Sequence, residues 1–403
     1  MKHILEGKYI GLGVTGSIAC HKAVDLASKL TQAGAQVDVL LTRGAREFVS
    51  ALAFHAITHR PVFEDLFDPR SELSMDHVTI AERADLIVVA PATAHTIAKL
   101  ALGLADDALT TTVLATAAPL IVAPAMDAHM FDNAATRENI DRLESRGAYI
   151  AGPASGRLAS GLTGKGRLLE TEELMGSIRL VLGRGGDMAG RKIVVSAGGT
   201  QEAIDPVRVI ANRSSGKMGY AIAEAARDRG ASTVLVTAPT ALADPVGVRV
   251  VQVRTALEMR DAVMRECEDA DAVVMAAAVG DWRPVAASDQ KIKKDGSDTW
   301  TVELTKNPDI IAGIPAEGIV KVGFAAETQD LVENAKSKLL SKGLDLIAAN
   351  DITADDSGFA SDTNGVTLVD REGGVESLPL MSKYEVGHTI LDRLGQLFKR
   401  PSK

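Results

Sequence analysis

Short apolar runs alternate with amphipathic stretches in the first part of the chain. The apolar run KYIGLGV (8–14) leads through the turn TGS into the amphipathic stretch IACHKAVDLASKLTQAGA (18–35), and then into the apolar run QVDVLLT (36–42). Apolar positions that recur every three to four residues predict a helix, and short apolar runs bounded by turns predict strands. Gly34 suits the C′ position, just beyond the C-cap of a helix. The pattern therefore predicts a β-α-β unit.

The same pattern begins again in the second half of the chain. Strand KIVVSAGGT (192–200) is followed by helix KMGYAIAEAARDRGA (217–231) and strand STVLVTA (232–238), and the segments QAGAQVDVLLT and DRGASTVLVTA nearly superpose. Further predicted strands are DLIVVAP, PLIVAP and AYIAGP in the first half and DAVVMAAA, IVKVGFAAET, LDLIAAND and GVTLVD in the second. We predict an α/β fold of two doubly wound, Rossmann-like parallel-sheet domains in tandem.

The length of the chain also favours two domains. Its 403 residues exceed the ~250–300 residues that a single hydrophobic core usually supports. The glycine-rich stretch LGRGGDMAGR (182–191) lacks apolar periodicity, which is typical of a linker. We place the boundary in this stretch and predict one domain at 1–186 and another at 187–403.

Composition narrows the class of partner and the compartment. The net charge of −9 argues against a nucleic-acid or anionic-membrane partner, because such binding needs a positive field. Two cysteines are too few for a disulfide framework, and MKHILEGKYIG lacks the features of a signal peptide, so we expect a cytoplasmic location. The uncharged run 108–126 reaches membrane-spanning length, but its four threonines and two prolines favour a helix followed by the strand PLIVA.

Two glycine-rich stretches resemble nucleotide-binding motifs in part. GLGVTG (11–16) has the form G-x-G-x-x-G, but the second strands end in Thr42 and Thr237 rather than in the acidic residue that binds the ribose of NAD. A mononucleotide such as FMN, or no ligand, fits better. RLASGLTGKGRL (157–168) departs from the P-loop pattern at Ala159 and Gly166. Its glycines and its place after AYIAGP favour a hinged lid over a site.

Segments of the first half lie where a doubly wound fold places its ligands, at the C-terminal ends of strands. They are TGSIA, APATAHTIAK and APAMDAHMF, and they occur in order with the dipeptide DH and the stretch SGRLASGLTGKGR. This order resembles the homo-oligomeric flavin-containing cysteine decarboxylases. The resemblance implies FMN as cofactor, bound by Gly16, Ser17, Thr42, Pro91, Ala92, Thr93, Thr110, Ala125 and Met126.

A second ordered set of motifs lies in the second half. It comprises SAGGT, DPVRVIANRSSGKMG, AAAVGDWRP, KIKK, KNPDI, GFAAET and a lysine pair four residues apart. Taken singly, such a pair is normally a solvated helix face. The whole set resembles phosphopantothenate–cysteine ligase, so nearly the whole chain resembles the bifunctional phosphopantothenoylcysteine decarboxylase/phosphopantothenate–cysteine ligases of coenzyme A synthesis. The first domain would then be the FMN-binding decarboxylase and the second the CTP-dependent ligase.

The ligase resemblance implies roles for individual residues. CTP and Mg²⁺ would activate 4′-phosphopantothenate as an acyl-cytidylate, and the amine of cysteine would displace CMP. Lys291 would stabilise the transferred phosphoryl group, and Asn212 would hold the acyl-cytidylate, although Asn212 alone also fits an N-cap or turn. Arg208 is a candidate for the pantothenate phosphate. The other implied CTP- and substrate-binding residues are Ser214, Ser215, Gly216, Lys217, Ala277, Asp281, Asn307, Pro308, Asp309, Ile310, Phe324, Lys338 and Lys342. The sequence identifies no Mg²⁺ ligands.

The decarboxylase resemblance implies that His77 handles proton chemistry, whereas a single histidine in a loop is more often structural. In the family, the flavin takes a hydride from the carbon that bears the substrate thiol, and the resulting thioaldehyde lets CO₂ leave. Two positions depart from the family pattern. Asp127 stands where an asparagine is usual, and Ser160 stands where the lid usually carries a cysteine that protonates the enethiol. A serine hydroxyl is a much weaker acid than a thiol.

These departures leave alternatives open. A functional ligase with a degenerate or regulatory flavin domain is one alternative to the bifunctional enzyme, and an NAD-dependent oxidoreductase is another. The family resemblance implies a homo-oligomer, a dodecamer built from flavin-domain trimers and ligase-domain dimers. The expected partners are the small-molecule substrates.

Overall fold

The structure is a computed structural model that describes residues 4–66, 76–293, 299–315, 318–327, 330–351 and 361–399. The chain divides into two compact units, Lys2–Leu182 and Gly183–Lys403. Each unit contains a central sheet of buried strands with helices on both faces. Among the described residues, no helix is both long enough and apolar enough to cross a membrane.

The first unit contains an open, parallel sheet. The strands of this unit are β1 (Tyr9–Val14), β2 (Gln36–Leu41), β3 (Val62–Phe63), β4 (Leu86–Ala92), β5 (Leu120–Pro124), β6 (Tyr149–Ile150), β7 (Ala154–Arg157) and β8 (Thr163–Arg167). Its helices are α1 (Cys20–Gln32), α2 (Arg43–Arg46), α3 (Ala51–Thr58), α4 (Asp76–Arg83), α5 (Ala94–Leu102), α6 (Ala108–Ala115), α7 (Ala128–Asp132), α8 (Ala134–Ser145) and α9 (Thr171–Gly183). The sheet order is β3-β2-β1-β4-β5-β6, and all of these pairs are parallel.

Several local predictions for the first unit are confirmed. Helix α1 ends next to Gly34, whose φ of +86° is the left-handed conformation expected after a helix. The uncharged run 108–126 forms helix α6 and strand β5. The stretch predicted as a hinged lid is more ordered than a loop, because β7 and β8 form an antiparallel hairpin whose turn is closed by a 2.8 Å bond from the Leu158 N–H to the Leu162 carbonyl.

The second unit repeats this architecture with additional strands. Its strands are β9 (Lys192–Ala197), β10 (Gln201–Ala203), β11 (Val209–Ala211), β12 (Ser232–Thr237), β13 (Arg249–Gln252), β14 (Ala272–Met275), β15 (Trp282–Pro284), β16 (Leu304–Lys306), β17 (Val320–Glu327), β18 (Leu346–Asp351), β19 (Thr363–Asn364), β20 (Val366–Asp370), β21 (Val375–Ser377) and β22 (Met381–Ser382). Its helices are α10 (Lys217–Asp228), α11 (Ala256–Cys267), α12 (Ile310–Gly313), α13 (Leu331–Ser341) and α14 (Lys383–Phe398).

The large sheet of the second unit differs from the prediction at one edge. Its order is β13-β12-β9-β14-β17-β18-β20-β21, and the pairs from β13 to β18 are parallel. Strand β20, predicted from GVTLVD as part of a parallel sheet, instead pairs antiparallel with β18 and with β21. A tight turn at 371–374 joins β20 to β21, with Gly373 at φ +87°, and such a short connection allows only an antiparallel pair. The prediction of two doubly wound, parallel-sheet domains is confirmed, and the second sheet carries in addition an antiparallel edge at β20 and β21.

Candidate functional site

In the first unit, a threonine ties together the C-terminal ends of β1 and β4. The Thr15 hydroxyl donates to the Pro91 carbonyl at 2.7 Å and accepts from the Thr93 N–H at 3.0 Å. Thr15 is buried, so both bonds are shielded from water. They hold the turn after β1 against the segment 91–93, which the sequence predicted to contact the flavin.

The turn after β1 also lies against the start of α2. A Cβ atom on Gly16 would lie 2.8 Å from the Gly44 carbonyl carbon, so a larger residue at 16 would force the backbone apart. The Thr42 N–H donates to the Val14 carbonyl, and the Thr42 hydroxyl caps α2 by accepting from the Ala45 N–H. The structure thus brings together the residues predicted for the phosphate side, Gly16, Ser17 and Thr42.

Strand β5 continues this edge of the sheet toward the β7–β8 hairpin. The Ala125 N–H donates to the Ala92 carbonyl at 3.0 Å, and the Met126 N–H donates to the Gly166 carbonyl at 2.9 Å. A Cβ atom on Gly166 would lie 2.3 Å from the Met126 carbonyl oxygen, so this position needs glycine. The predicted residues Ala92, Ala125 and Met126 are therefore adjacent and are joined to the hairpin.

Two predicted flavin-binding threonines have structural roles at helix starts. Thr93 caps α5 by accepting from the Thr96 N–H. Thr110 is buried in α6, and its hydroxyl donates to the Asp107 carboxylate at 2.9 Å within a reciprocal capping box. A contact between the Thr110 hydroxyl and the flavin stays a prediction.

The two residues that depart from the family pattern are hydrogen-bonded to each other. Ser160 lies at the exposed tip of the β7–β8 hairpin, and its hydroxyl donates to the Asp127 carboxylate at 2.6 Å. The other carboxylate oxygen of Asp127 caps α7 by accepting from the His129 N–H at 3.0 Å. The Ser160 hydroxyl, followed by the His129 N–H, holds the pKa of Asp127 below its ordinary value. Asp127 is therefore ionised at neutral pH and is compensated by hydrogen bonds.

The hairpin also packs on the helix that Asp127 caps. The Lys165 ammonium lies 5.2 Å from the centre of the Phe131 ring, and a Cβ atom on Gly164 would lie 2.7 Å from the Ala128 side chain. At its far end, Arg167 forms an ion pair with Glu170. The predicted catalytic residue His77 is half-buried in the first turn of α4 rather than in a loop.

In the second unit, a cavity of about 1000 Å³ lies at the C-terminal ends of the strands. The predicted residues that line it are Asn212, Ser214, Ser215, Gly216, Lys217, Ala277, Asp281, Asn307, Pro308, Asp309, Ile310, Phe324, Lys338 and Lys342. The cavity thus brings together segments that are far apart in sequence. Its size is in the range of small-molecule and cofactor sites.

Hydrogen bonds fix the shape of this cavity. The Asn212 side chain donates to the Val279 carbonyl at 3.1 Å. The buried Asn307 side chain donates to the Gly280 carbonyl at 2.7 Å and accepts from Arg283 at 2.9 Å. The segments after β11, β14 and β16 are therefore held together by side-chain amides.

Cations and a helix start lie on the cavity walls. Lys342 forms a 3.0 Å ion pair with Asp309, which also caps α12. Helix α10 begins at the wall with Gly216 as its N-cap at φ +76°, and the Ser214 and Ser215 hydroxyls accept from the Gly216 and Lys217 N–H groups. Backbone N–H groups at a helix start and lysine side chains both favour an anionic ligand.

Arg208 and Lys291 are the two predicted ligase residues outside the set that lines the cavity. They lie in two segments, 205–208 and 291–292, that we call the Asp205 lobe. The buried Asp205 carboxylate joins them, because it accepts from the Val207 and Arg208 N–H groups at 2.8 Å and from the Ile292 N–H at 3.3 Å. Burial would raise the pKa of Asp205, but these three N–H groups, together with the charge of Arg208, outweigh that effect and lower it. Arg208 also lies 5.0 Å from the centre of the Trp300 ring.

Two family models match the chain, one for each unit. Residues 1–183 match the Flavoprotein family, and residues 188–397 match the DNA/pantothenate metabolism flavoprotein C-terminal domain. The chain is 45% identical over 391 residues to the coenzyme A biosynthesis bifunctional protein CoaBC of Vibrio cholerae, covering 96% of this chain and 98% of that relative. The chain belongs to this bifunctional coenzyme A biosynthesis family.

A second relative agrees with this assignment. The CoaBC protein of Bacillus subtilis is 44% identical over 403 residues, covering 98% of this chain and 99% of that relative. A crystal structure of a CoaBC C-terminal domain is 38% identical, with a TM-score of 0.46, over 53% of this chain and 98% of the solved domain. Membership of this family makes the chain a bifunctional enzyme that combines a flavoprotein decarboxylase with a ligase, as the motifs predicted. The relatives do not favour an NAD-dependent oxidoreductase.

The structure also shows residues that the sequence analysis did not select. Asn350, Asn364 and Lys383 line the cavity of the second unit, and Asp205 accepts from the N–H group next to Lys291. Asp205 is the first residue of the motif DPVRVIANRSSGKMG, so the sequence offered a signal for it. Lys383 and Asn364 follow the last parallel strand of the chain, where no motif pointed to the cavity.

Proposed function

We propose that the second unit ligates 4′-phosphopantothenate to cysteine with CTP and Mg²⁺, and that the first unit then decarboxylates the product with FMN to give 4′-phosphopantetheine. The observation that carries the ligase half is the cavity in which nearly all of the predicted ligase residues meet. Family membership supports the pairing of the two activities. The domain division at 186/187 is part of this proposal.

The residues at the sheet edge of the first unit fit FMN. The turn after β1 leads directly into the 13-residue helix α1, and the positive end of that helix favours a phosphate. Gly16, Ser17 and Thr42 would hold the phosphate side, and the short side chains of 91–93 and 125–126 would lie along the ring and ribityl chain. When bound, FMN would take up a hydride from the substrate and return it.

The chain's own residues would position the substrate and move protons. His77 would exchange the proton of the substrate thiol. The β7–β8 hairpin would exclude water, held closed by the bond between Ser160 and Asp127. Because Asp127 is ionised, it cannot donate to the departing carboxylate as an asparagine would. We infer that Asp127 instead orients the Ser160 hydroxyl at the position of the usual cysteine.

In the ligase half, Asn212 would hold the acyl-cytidylate with its carbonyl facing the amine of cysteine. Lys291 would reach the phosphates from the lobe that Asp205 organises, and Arg208 would bind the pantothenate phosphate. The described residues contain no group of three or more His, Cys, Asp or Glu placed to hold a metal ion, which is consistent with Mg²⁺ carried mainly by the triphosphate. We further propose a cytoplasmic homo-oligomer, a dodecamer by analogy with the family.

Two measurements on the purified protein test this proposal, one for each unit. The protein should be yellow and should release FMN on denaturation. It should also release pyrophosphate from CTP only when phosphopantothenate and Mg²⁺ are present. A colourless protein that binds NADH but not FMN would refute the first half. Pyrophosphate release that does not depend on phosphopantothenate would refute the second.

A further inference from the structure

The inner wall of the ligase cavity carries three polar side chains that the proposed function leaves without a ligand-binding role or with only a general one. The inner wall is defined here as the part of the cavity lining formed by Lys217, Asn364 and Lys383. Lys383 is only 6% exposed, and its ammonium donates to the Ser361 carbonyl. Lys217 forms a 2.6 Å ion pair with Asp362, a side chain that is 89% exposed.

The two ammonium groups of the inner wall influence each other. Burial, and then the charge of Lys217, lowers the pKa of Lys383 below its ordinary value. Like charges on one wall of a cavity repel each other, and an anion bound between them relieves the repulsion. The exposed Asp362 carboxylate pairs with Lys217 and also offsets part of the lowering of the Lys383 pKa. The wall therefore favours an anion in the cavity.

The start of helix α10 adds to this preference. Gly216 is its N-cap and Lys217 its first residue, so the 12-residue helix directs its positive end at the same wall. Backbone N–H groups at such a start form a ready site for phosphate oxygens. A helix start alone is common in proteins, and a further observation is needed to identify a ligand site.

Asn364 supplies that observation. Its side chain is 96% buried and lines the cavity, and its carboxamide oxygen has no hydrogen-bond partner among the residues that the structure describes. A buried carboxamide atom without a partner is unfavourable, so a ligand is expected to fill that place. A rotation of 180° about the terminal bond exchanges the oxygen and the NH₂ group, so the place that lacks a partner can carry the NH₂ group, which donates to an anion.

We propose that Lys383 and Asn364, together with Lys217, bind the terminal phosphates of the nucleoside triphosphate and hold the pyrophosphate that leaves. This inference rests on the proposed ligase function. In the activation step a carboxylate oxygen of the acyl substrate bonds to the α-phosphorus, and the bond from that phosphorus to the bridging β-oxygen breaks. The electron pair of that bond stays on pyrophosphate, whose added negative charge meets the Lys383 ammonium and an Asn364 N–H.

The test compares Lys383→Gln with Lys321→Gln in the full-length protein. Lys321 is a matched control, because it is 2% exposed, donates to the Ile314 carbonyl at 3.1 Å and belongs to the described residues outside the cavity lining. Calorimetric titrations use CTP, CMP and inorganic pyrophosphate with excess Mg²⁺. We expect Lys383→Gln to raise the Kd of CTP and of pyrophosphate about tenfold and to leave that of CMP within about twofold. Lys321→Gln should match the wild type with all three.

Asn364→Asp provides a second, nearly isosteric variant in case Lys383→Gln folds poorly. The new carboxylate should also weaken the binding of CTP and of pyrophosphate and leave the binding of CMP unchanged. Unchanged pyrophosphate binding in both variants would overturn the proposal. So would an increase confined to the KM for cysteine, because the wall would then hold the amino-acid carboxylate. A wild-type protein that binds pyrophosphate through Lys383 but does not bind CTP would overturn the ligase assignment and support the phosphate subsite.

Discussion

The first unit orders its strands β3-β2-β1-β4-β5-β6, and the parallel part of the second orders its strands β13-β12-β9-β14-β17-β18, which is the same succession of crossovers. In both units the site lies at the C-terminal strand ends, beside the first helix of the unit. The first unit builds its edge from glycine, alanine, proline and hydroxyl side chains, whereas the second surrounds a cavity with lysines. Under the proposed function, the same framework would serve one phosphate through backbone groups and a triphosphate through added cations.

The largest expected effect lies on the cationic side of this comparison. Lys291→Gln should reduce pyrophosphate release from CTP by roughly 100-fold or more, because it removes the positive charge proposed to stabilise the transferred phosphoryl group. FMN content and decarboxylation of added phosphopantothenoylcysteine should stay at wild-type levels. Stopped-flow detection of pyrophosphate checks the first expectation, and wild-type release would disprove the role of Lys291.

The converse change affects the first unit alone. Gly16→Ala places a methyl group 2.8 Å from the Gly44 carbonyl carbon, so the turn after β1 must move. We expect FMN affinity to fall roughly tenfold to 100-fold, since overpacking of this kind costs about 1–3 kcal/mol. Ligase activity should not change. Flavin absorbance per chain measures the effect, and Gly185→Ala is the control because its added methyl group meets open space.

A third prediction concerns the hairpin. Ser160→Ala removes the hydroxyl that donates to Asp127, and we expect decarboxylation to fall roughly tenfold with enethiol accumulating. Because Asp127 is ionised, a thiol beside it would have a raised pKa. Ser160→Cys alone should therefore increase the decarboxylation rate less than Ser160→Cys combined with Asp127→Asn. Rapid-quench mass spectrometry measures the enethiol. Equal rates for the single and double variants would show that the two positions are not coupled.

The same pair predicts a specific pH response. The folded pKa of Asp127 is depressed, so the stability that its hydrogen bonds contribute is present above the ordinary pKa of 3.8 and is lost as the pH falls through the lower folded value. Between about pH 5 and 8 the Ser160 contact should therefore not change. The pH profile of the decarboxylation rate should show no step from the ionisation of Asp127 in that range. A step in the wild-type profile that disappears in Asp127→Asn would contradict this expectation.

A smaller effect is expected from the residue that organises the Asp205 lobe. In Asp205→Asn, an amide NH₂ group would face the Ile292 N–H in place of a carboxylate oxygen, so the lobe should loosen. We expect ligase kcat/KM to fall roughly threefold to tenfold, with little change in the affinity for CMP. Steady-state kinetics and CMP titration check this expectation. An effect on CMP as large as that on kcat/KM would indicate damage to the whole cavity.

The smallest effect distinguishes packing from ligand binding at Thr110. Thr110→Val removes the hydroxyl that donates to Asp107 in the capping box of α6, and should cost about 1 kcal/mol of unfolding free energy. Thr110→Ser keeps the hydroxyl and should cost less. Denaturant unfolding measures both variants. Loss of FMN from Thr110→Val without loss of stability would favour a direct flavin contact instead.

Residue order alone predicted much of the fold, because both β-α-β openings show unambiguous periodicity and Gly34 marks the end of α1. It did not predict the antiparallel edge at β20, since an apolar run such as GVTLVD does not encode strand direction. It also could not show that Asp127 and Ser160 meet. They are 33 positions apart, and only the β7–β8 hairpin brings them into contact. Lys383 was missed for the same reason, because the cavity collects segments that are distant in sequence.

The central claim is that both units of the chain are active and act in succession. The full-length, FMN-replete protein is incubated with phosphopantothenate, cysteine, CTP and Mg²⁺, and the products are identified by mass spectrometry. We expect 4′-phosphopantetheine and CO₂ in equal amounts, with only transient phosphopantothenoylcysteine. Phosphopantothenoylcysteine that accumulates unchanged would contradict the account, because it would leave the flavin unit of this chain without decarboxylase activity.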